Sequence, residues 1–290
     1  MEFPSSGKGA IIALIIFAIL SFVLPFQVIV LDQIFWTLSY ATFLFGIFAG
    51  FVIASRLTRY TRFRDLLTNE TGNLIAIYEH AKLIDERFAR KTADLIDKYI
   101  LEGFLYGANE YHKQTEASFY NIFREMNDIT PKNPQQENAL RAMMYIWREM
   151  PKDREELYLL AKDKVGILLK SILIILSGIV IFNLFYIRTD VLYSHLITVL
   201  LSTSIILVLF LIRDLDRLKL SDAAMSYGIY FRIFDLMGKP RVYTNWAVKH
   251  GYLELPKKFA YRYGLIATDS EGKNYYKKIV SVNPLKKKRS

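Results

Sequence analysis

Residues 33–55 read QIFWTLSYATFLFGIFAGFVIAS and contain no Asp, Glu, Lys or Arg. A helix that crosses the hydrocarbon core of a bilayer needs ~20 apolar residues at a rise of ~1.5 Å each, so this run is long enough to span a membrane. Three other long runs also lack these charges, and the four runs form two pairs. The pairs are residues 9–31 with 33–55, and residues 171–187 with 191–212. The pattern predicts two membrane-embedded helical hairpins.

The composition supports a protein that is part membrane and part aqueous, because 52% of the 290 residues are hydrophobic while 23% are charged. The chain has no cysteine, which excludes disulfides and thiolate metal sites. No phosphate-binding loop, nucleophile motif, paired carboxylate or HExxH motif occurs. We therefore expect neither an enzyme nor a cofactor or metal site.

The long polar stretch between the two pairs carries apolar residues three and four positions apart, which indicates helices. We predict an all-α membrane protein with four transmembrane helices, a cytoplasmic helical bundle and a small β-hairpin-like C-terminal tail. The predicted ranges are 9–55 for the first hairpin (helices 9–31 and 33–55), 56–164 for the cytoplasmic helical domain, 165–212 for the second hairpin (helices 165–187 and 191–212), 213–240 for an amphipathic helix, and 241–290 for a basic tail.

Local signals refine this plan. Asn133-Pro134 predicts a helix start, and Pro151 predicts its end. The following helix is expected to run directly into the third membrane helix. Charges at residues 153–156 are interpreted as a solvated helix face. The amphipathic stretch after the fourth run lies at the membrane interface or packs on the bundle; the sequence leaves both open.

Basic residues follow the second and fourth uncharged runs, whereas the connections within each pair are short. The basic residues are Arg56, Arg59, Arg62 and Arg64 after the second run, and Arg213, Arg217 and Lys219 after the fourth. Because Lys and Arg accumulate on the cytoplasmic side, both hairpin tips are expected outside and both termini in the cytoplasm. The expected location is the plasma (inner) membrane.

One face of the second run carries a bulky stripe, because Phe43, Ile47 and Phe51 are spaced four apart. Gly46 and Gly50 form a parallel stripe of small residues, which lets a neighbouring helix approach closely. In a ring of identical subunits the bulky stripe would line a hydrophobic constriction. Spacing alone leaves open the alternative that it faces lipid.

Gly50-Phe51 followed by Thr58-Arg59-Tyr60 resembles a segment of the bestrophin channels. In bestrophins this helix supplies three large apolar residues, four apart, that form the neck of the pore. The resemblance implies a neck of Phe43, Ile47 and Phe51.

The order of elements is also similar to bestrophins over roughly residues 10–235. Two segments resemble more specifically the bestrophin-like domain found in many prokaryotes; they are Glu70 with Leu74 and Tyr78, and Leu215-Asp216-Arg217. Animal bestrophins bind calcium with an acidic cluster after the fourth helix. Here Asp214, Asp216 and Asp222 alternate with basic residues, so no calcium site is predicted.

The resemblance implies a homo-oligomer, a pentamer, that conducts anions or monovalent cations passively. Arg56 and Arg59 would concentrate anions near the cytoplasmic mouth, or would act as ordinary membrane anchors. The expected partners are the lipid bilayer, further copies of the chain and small inorganic ions, and not nucleic acid. The alternative is a non-conducting membrane-anchored scaffold or sensor that binds a partner or lipid through its cytoplasmic domain and basic tail.

Overall fold

The structure is a computed structural model that describes residues 6–25, 32–106, 108–218, 224–249, 251, 253–269 and 273–284. Helices dominate these ranges, and one small sheet follows them. The elements are α1 Ser6–Val23, α2 Asp32–Ile84, α3 Glu86–Gly103, α4 Ala108–Gln114, α5 Glu116–Asn127, α6 Pro134–Lys162, α7 Ile167–Tyr186, α8 Leu192–Asp216, α9 Ala224–Leu236, β1 Val242–Thr244, α10 Asn245–Lys249, β2 Tyr261–Thr268 and β3 Asn274–Val282.

The chain divides into two compact units. Unit 1 comprises the described residues within 1–60 and 164–220, and unit 2 those within 61–163 and 221–290. Helix α2 contributes to both units, since the boundary falls between Tyr60 and Thr61.

Unit 1 consists of α1, the first half of α2, α7 and α8. Helix α1 packs along α8, and Gly9 permits this contact, because an added Cβ would lie 2.5 Å from a ring carbon of Phe210. A separate apolar cluster joins α2, α7 and α8; its buried helical members are Phe45, Ala49, Val52, Leu173 and Ile212.

Among the described residues, three helices are long and apolar enough to cross a membrane, and they are α2, α7 and α8. Helix α1 is shorter, because its apolar part covers only Lys8–Val23, about 24 Å of helix against a core of about 30 Å. Among its described residues, the predicted helix 9–31 is helical only as far as Val23. Residues that precede a proline avoid helical geometry, and Leu24-Pro25 follows the last helical residue. A fourth crossing stays a prediction, and residues 26–31 lie outside the described residues.

Helix α6 begins as the sequence predicts. Pro134 occupies its first turn, and the side chain of Asn133 accepts a hydrogen bond of 2.9 Å from the amide of Gln136. The predicted end at Pro151 was wrong. Met150 and Arg154 on either side of the proline are buried, so tertiary packing outweighs the hydrogen bond that proline removes.

The expected continuity between α6 and α7 was also wrong, since residues 163–166 are not helical. The amide of Val165 donates instead to Oδ1 of Asp216 at 2.7 Å. A side chain from α8 thus replaces the helical acceptor at this point.

Unit 2 has one large core to which five helices contribute. Its almost fully buried side chains include Leu74 and Ile77 of α2, Ile96 and Tyr99 of α3, Phe119 and Ile122 of α5, Met143 of α6, and Ile233 and Phe234 of α9. Part of the predicted amphipathic helix 213–240 is α9, which packs in the unit 2 core. Residues 213–216 belong to α8 instead, and residues 219–223 lie outside the described residues.

The predicted hairpin of the tail is confirmed, because β2 and β3 pair antiparallel. A third strand, β1, pairs parallel to β2 and was not predicted, since three residues carry too short a pattern. Arg262 of β2 donates to both carboxylate oxygens of Asp97 at 2.7 and 2.8 Å, which ties the sheet to α3.

Candidate pore face and its supporting polar clusters

The unit 1 part of α2 has two contrasting faces. Phe45, Ala49 and Val52 pack against α7 and α8. The opposite face carries the predicted neck residues, whose exposed fractions are 66% for Phe43, 51% for Ile47 and 68% for Phe51. The three therefore share one face that no described part of the chain covers.

The two glycines of α2 that were predicted to pack against a helix lie beside this stripe. Apart from the flanking residues and the nearby backbone of α2 itself, no atom of the described chain lies within 4 Å of a Cβ added to Gly46 or to Gly50. Within one chain, therefore, neither glycine accommodates another helix. The open space leaves room for a neighbouring chain or for lipid.

The exposed face extends toward the start of α2 through two aromatic residues that the sequence reading missed. Trp36 and Tyr40 are both exposed, and their ring centroids lie 6.2 Å apart. The sequence does contain this pattern, because Trp36, Tyr40 and Phe43 are spaced four and three residues apart and therefore share one helix face. Trp and Tyr are enriched where membrane helices meet the headgroups.

Asp216 at the end of α8 joins three helices of unit 1. Its Oδ2 lies 2.8 Å from Nζ of Lys170 on α7, and its Oδ1 lies 3.8 Å from Nη1 of Arg56 on α2. Its main-chain oxygen accepts from Nη1 of Arg59 at 3.0 Å and from Nζ of Lys164 at 3.2 Å. Through its carboxylate and its main-chain oxygen, Asp216 thus organises a net basic cluster at the end of the apolar helices.

The two residues predicted to lie at the cytoplasmic mouth, Arg56 and Arg59, both belong to this cluster. Arg59 is buried and satisfies a C-terminal carbonyl of α8, which a helix cannot satisfy by itself. Arg56 is mostly covered and faces the Asp216 carboxylate. Both residues therefore contribute to the packing of unit 1.

A second buried polar cluster lies in unit 2, around Glu70 of α2. The carboxylate accepts hydrogen bonds from Tyr99, from Tyr111 at 3.0 Å and from Tyr230 at 3.1 Å. Nη1 of Arg154 lies 3.5 Å from Oε1 of Glu70. Four separate helices, α3, α4, α6 and α9, thus each send one side chain to Glu70.

Arg154 is buried, as Glu70 is, and its N–H groups donate several hydrogen bonds. Nη1 donates to the Tyr99 hydroxyl, and Nη2 donates to the main-chain oxygen of His112 at 3.0 Å and to Oγ1 of Thr115 at 3.1 Å. Its guanidinium carbon lies 4.2 Å from the ring centroid of Phe119. The interpretation of residues 153–156 as a solvated face was therefore wrong for Arg154.

Burial raises the pKa of the Tyr99, Tyr111 and Tyr230 hydroxyls well above 10, and the nearby Glu70 carboxylate raises each pKa further. The three tyrosines thus stay protonated across the neutral range. Each can donate to Glu70 at any physiological pH.

A family model described as a bestrophin-like domain matches residues 34–218, nearly two thirds of the chain. The chain belongs to the bestrophin-like family. Bestrophins are oligomeric membrane channels that handle ions, and they are not enzymes. No curated protein and no solved structure matches the chain.

Within the bestrophin-like domain, the matched range begins in α2 and ends just after α8, so it contains the exposed α2 stripe, Glu70 and Asp216. Both segments that resembled the prokaryotic domain in sequence therefore contain the central carboxylate of a buried polar cluster. Tyr230 comes from outside the matched range.

The described residues of this bestrophin-like protein contain no group of three or more His, Asp or Glu side chains suited to a metal ion. Asp214 contacts Arg213, and Asp216 contacts Lys170. Asp222 lies outside the described residues.

Proposed function

We propose that the chain is a homo-oligomeric ion channel in which copies of α2 surround a passive ion path. Phe43, Ile47 and Phe51 would form its hydrophobic neck. The supporting observation is that these three side chains are exposed on the face of α2 opposite to the face that packs in unit 1. A narrow ring of such side chains controls conduction by excluding water.

The glycine stripe supports the same arrangement. Gly46 and Gly50 lie next to the neck residues with open space around them, so a neighbouring copy of α2 can approach the backbone there. By resemblance we propose a pentamer in the plasma membrane with both termini in the cytoplasm.

The ion is either an anion or a monovalent cation, because an apolar neck does not select the sign of charge. Arg56 and Arg59 belong to a cluster of four basic side chains around Asp216. We propose that this cluster lies at the cytoplasmic mouth and acts on ions through its net positive field.

The neck is tested by ion flux into liposomes that contain the purified protein. The double substitution Ile47→Ala with Phe51→Ala should raise flux, because it widens and wets the constriction. Ile174→Ala with Phe182→Ala is a matched control, because these two α7 side chains are exposed to a similar degree as Ile47 and Phe51 but lie on a different helix. Equal flux in the two double variants would contradict the neck assignment.

The oligomer is tested by imaging the purified particle along its symmetry axis. A ring with an axial path supports the channel. A monomer, or a two-fold dimer without such a path, would support the non-conducting scaffold instead.

A further inference from the structure

Arg188 lies in the connection where α7 turns into α8, and only 2% of its surface is exposed. Its Nη2 donates to the main-chain oxygen of Leu24, just after α1, at 2.5 Å. Its Nε and Nη1 have no hydrogen-bond partner among the described residues. A guanidinium carries a charge at every relevant pH and has five N–H donors, so most of its hydrogen-bonding capacity is unused.

The other buried arginines differ from Arg188 in this respect. Arg59 donates to the main-chain oxygen of Asp216, and Arg154 contacts Glu70 as well as three further acceptors. Asp190 is only two residues from Arg188, but its side chain is 74% exposed and its ion-pair contact is with His195 at 3.8 Å. The ring centroid of Phe185 lies 5.8 Å from the guanidinium carbon, a cation–π contact that supplies no oxygen acceptor for Nε and Nη1.

We propose that this end of unit 1 binds a phosphate oxyanion through Arg188. The planar donors of a guanidinium match the oxygens of phosphate, and a buried cation gains most from a ligand of opposite charge. Such a ligand would satisfy the donors that the described chain leaves unused.

The position of Arg188 favours a phosphate over other anions. It follows α7 and precedes α8, both of which are long and apolar enough to span a bilayer, so it lies at the level of the lipid headgroups. Phe182 and Tyr193 on either side are exposed aromatic residues, as is typical of that level. The phosphate is either that of a lipid headgroup or free in solution.

Binding at Arg188 would also hold α1 in place. Arg188 already contacts the end of α1 through Leu24, and His195 of α8 contacts Ser21 at 2.6 Å and stacks on Phe22. A ligand that orders Arg188 therefore stabilises the contact between α1 and α8. This coupling makes thermal stability a readout of binding.

The test uses the full chain in a non-ionic detergent without phospholipid. One arm adds sodium phosphate against sodium chloride at equal ionic strength. The other arm adds phosphatidylglycerol against a diacylglycerol that lacks phosphate. We expect a saturable rise of about 2–4 °C in the unfolding midpoint in at least one arm. A rise with inorganic phosphate assigns a free anion, and a rise only with phosphatidylglycerol assigns the lipid headgroup.

Arg188→Gln should abolish the rise, whereas Arg90→Gln, at an exposed arginine of α3, should retain it. If Arg188→Gln does not fold, Arg188→Lys serves instead, because it keeps the charge and loses the planar donors. It should weaken phosphate binding about tenfold in a calorimetric titration. The proposal is overturned if neither arm raises the midpoint of the unsubstituted chain, or if the Arg188 variant responds as the Arg90 variant does.

Discussion

Tyr230 on α9 donates a hydrogen bond of 3.1 Å to Glu70 on α2, although 160 positions of sequence separate the two residues. This bond brings a segment from beyond the bestrophin-like match into the buried polar cluster around Glu70. Helix α9 is therefore part of the unit 2 core.

The contribution of this bond is measured with Tyr230→Phe. The substitution removes one donor to a buried carboxylate, so we expect it to lower the free energy of unfolding by about 1–3 kcal/mol. Thermal unfolding followed by circular dichroism measures the change. Tyr145→Phe, at an exposed tyrosine of α6, should have no effect. Equal midpoints for the two variants would show that the hydrogen bond from α9 does not stabilise this cluster.

Because Glu70 and Arg154 form a buried ion pair, we expect substitutions at the two residues to have non-additive effects on the free energy of unfolding. Glu70→Gln leaves the buried Arg154 charge without its carboxylate, which should cost about 3–5 kcal/mol. Adding Arg154→Met should recover part of this loss, because the unpaired charge disappears. A double-mutant cycle on the unfolding midpoint measures the coupling. Strictly additive losses would contradict the buried pair.

A surface pair provides the control for that cycle. Arg62 and Glu156 form a bidentate contact of 2.5 and 2.7 Å, but both are open to solvent. Glu156→Gln should therefore change stability far less than Glu70→Gln does.

The three buried tyrosines predict a loss of stability at alkaline pH. Their folded pKa values lie well above 10, whereas an unfolded tyrosine ionises near 10. Above about pH 10 the unfolded chain binds fewer protons than the folded chain, so the free energy of unfolding falls as the pH rises. Below that pH this contribution is fully present and constant.

Unfolding midpoints between pH 7 and pH 11 measure this dependence. Tyr230→Phe should make the alkaline decline shallower, because one of the shifted groups is removed. The decline in Tyr145→Phe should match that of the unsubstituted chain. An alkaline decline that no buried tyrosine affects would mean that other groups cause it.

We expect copies of the chain to contact each other at Gly50 of α2. Gly50→Leu fills open space beside the neck stripe, so it should leave the single chain folded but weaken the oligomer. Gly72→Leu is the matched control, since Gly72 lies in the unit 2 part of α2 and also has open space around it. Light scattering on the purified particles should show a smaller assembly only for Gly50→Leu. An unchanged mass for both variants would place the subunit contact elsewhere.

Local patterns predicted a large part of this fold. Three of the four uncharged runs lie in α2, α7 and α8, because a long apolar helix depends mainly on its own residues. The start of α6 at Asn133 and Pro134, and the pairing of β2 with β3, also follow from neighbouring residues. That Phe43, Ile47 and Phe51 share one face of α2 was predictable for the same reason.

Longer-range effects were not predictable in this way. Pro151 indicated a helix end, but packing of the residues on both sides keeps α6 continuous. Arg154 belonged to a charged run, and its burial depends on Glu70, which lies 84 positions earlier in the chain. The predicted continuity of α6 and α7 likewise failed because of a distant residue. The amide of Val165 donates to the side chain of Asp216 and not to a helical acceptor.

The amino-acid sequence alone determined which segments are apolar enough for a membrane and which residues share a face of α2. The tertiary structure decided which charged groups are buried, namely Glu70 with Arg154, Arg59 on Asp216, and Arg188 with unused donors. The physical reason is that apolar helix formation depends on residues within a few turns. The free energy of a buried charge depends instead on partners that only the folded chain brings within hydrogen-bonding distance.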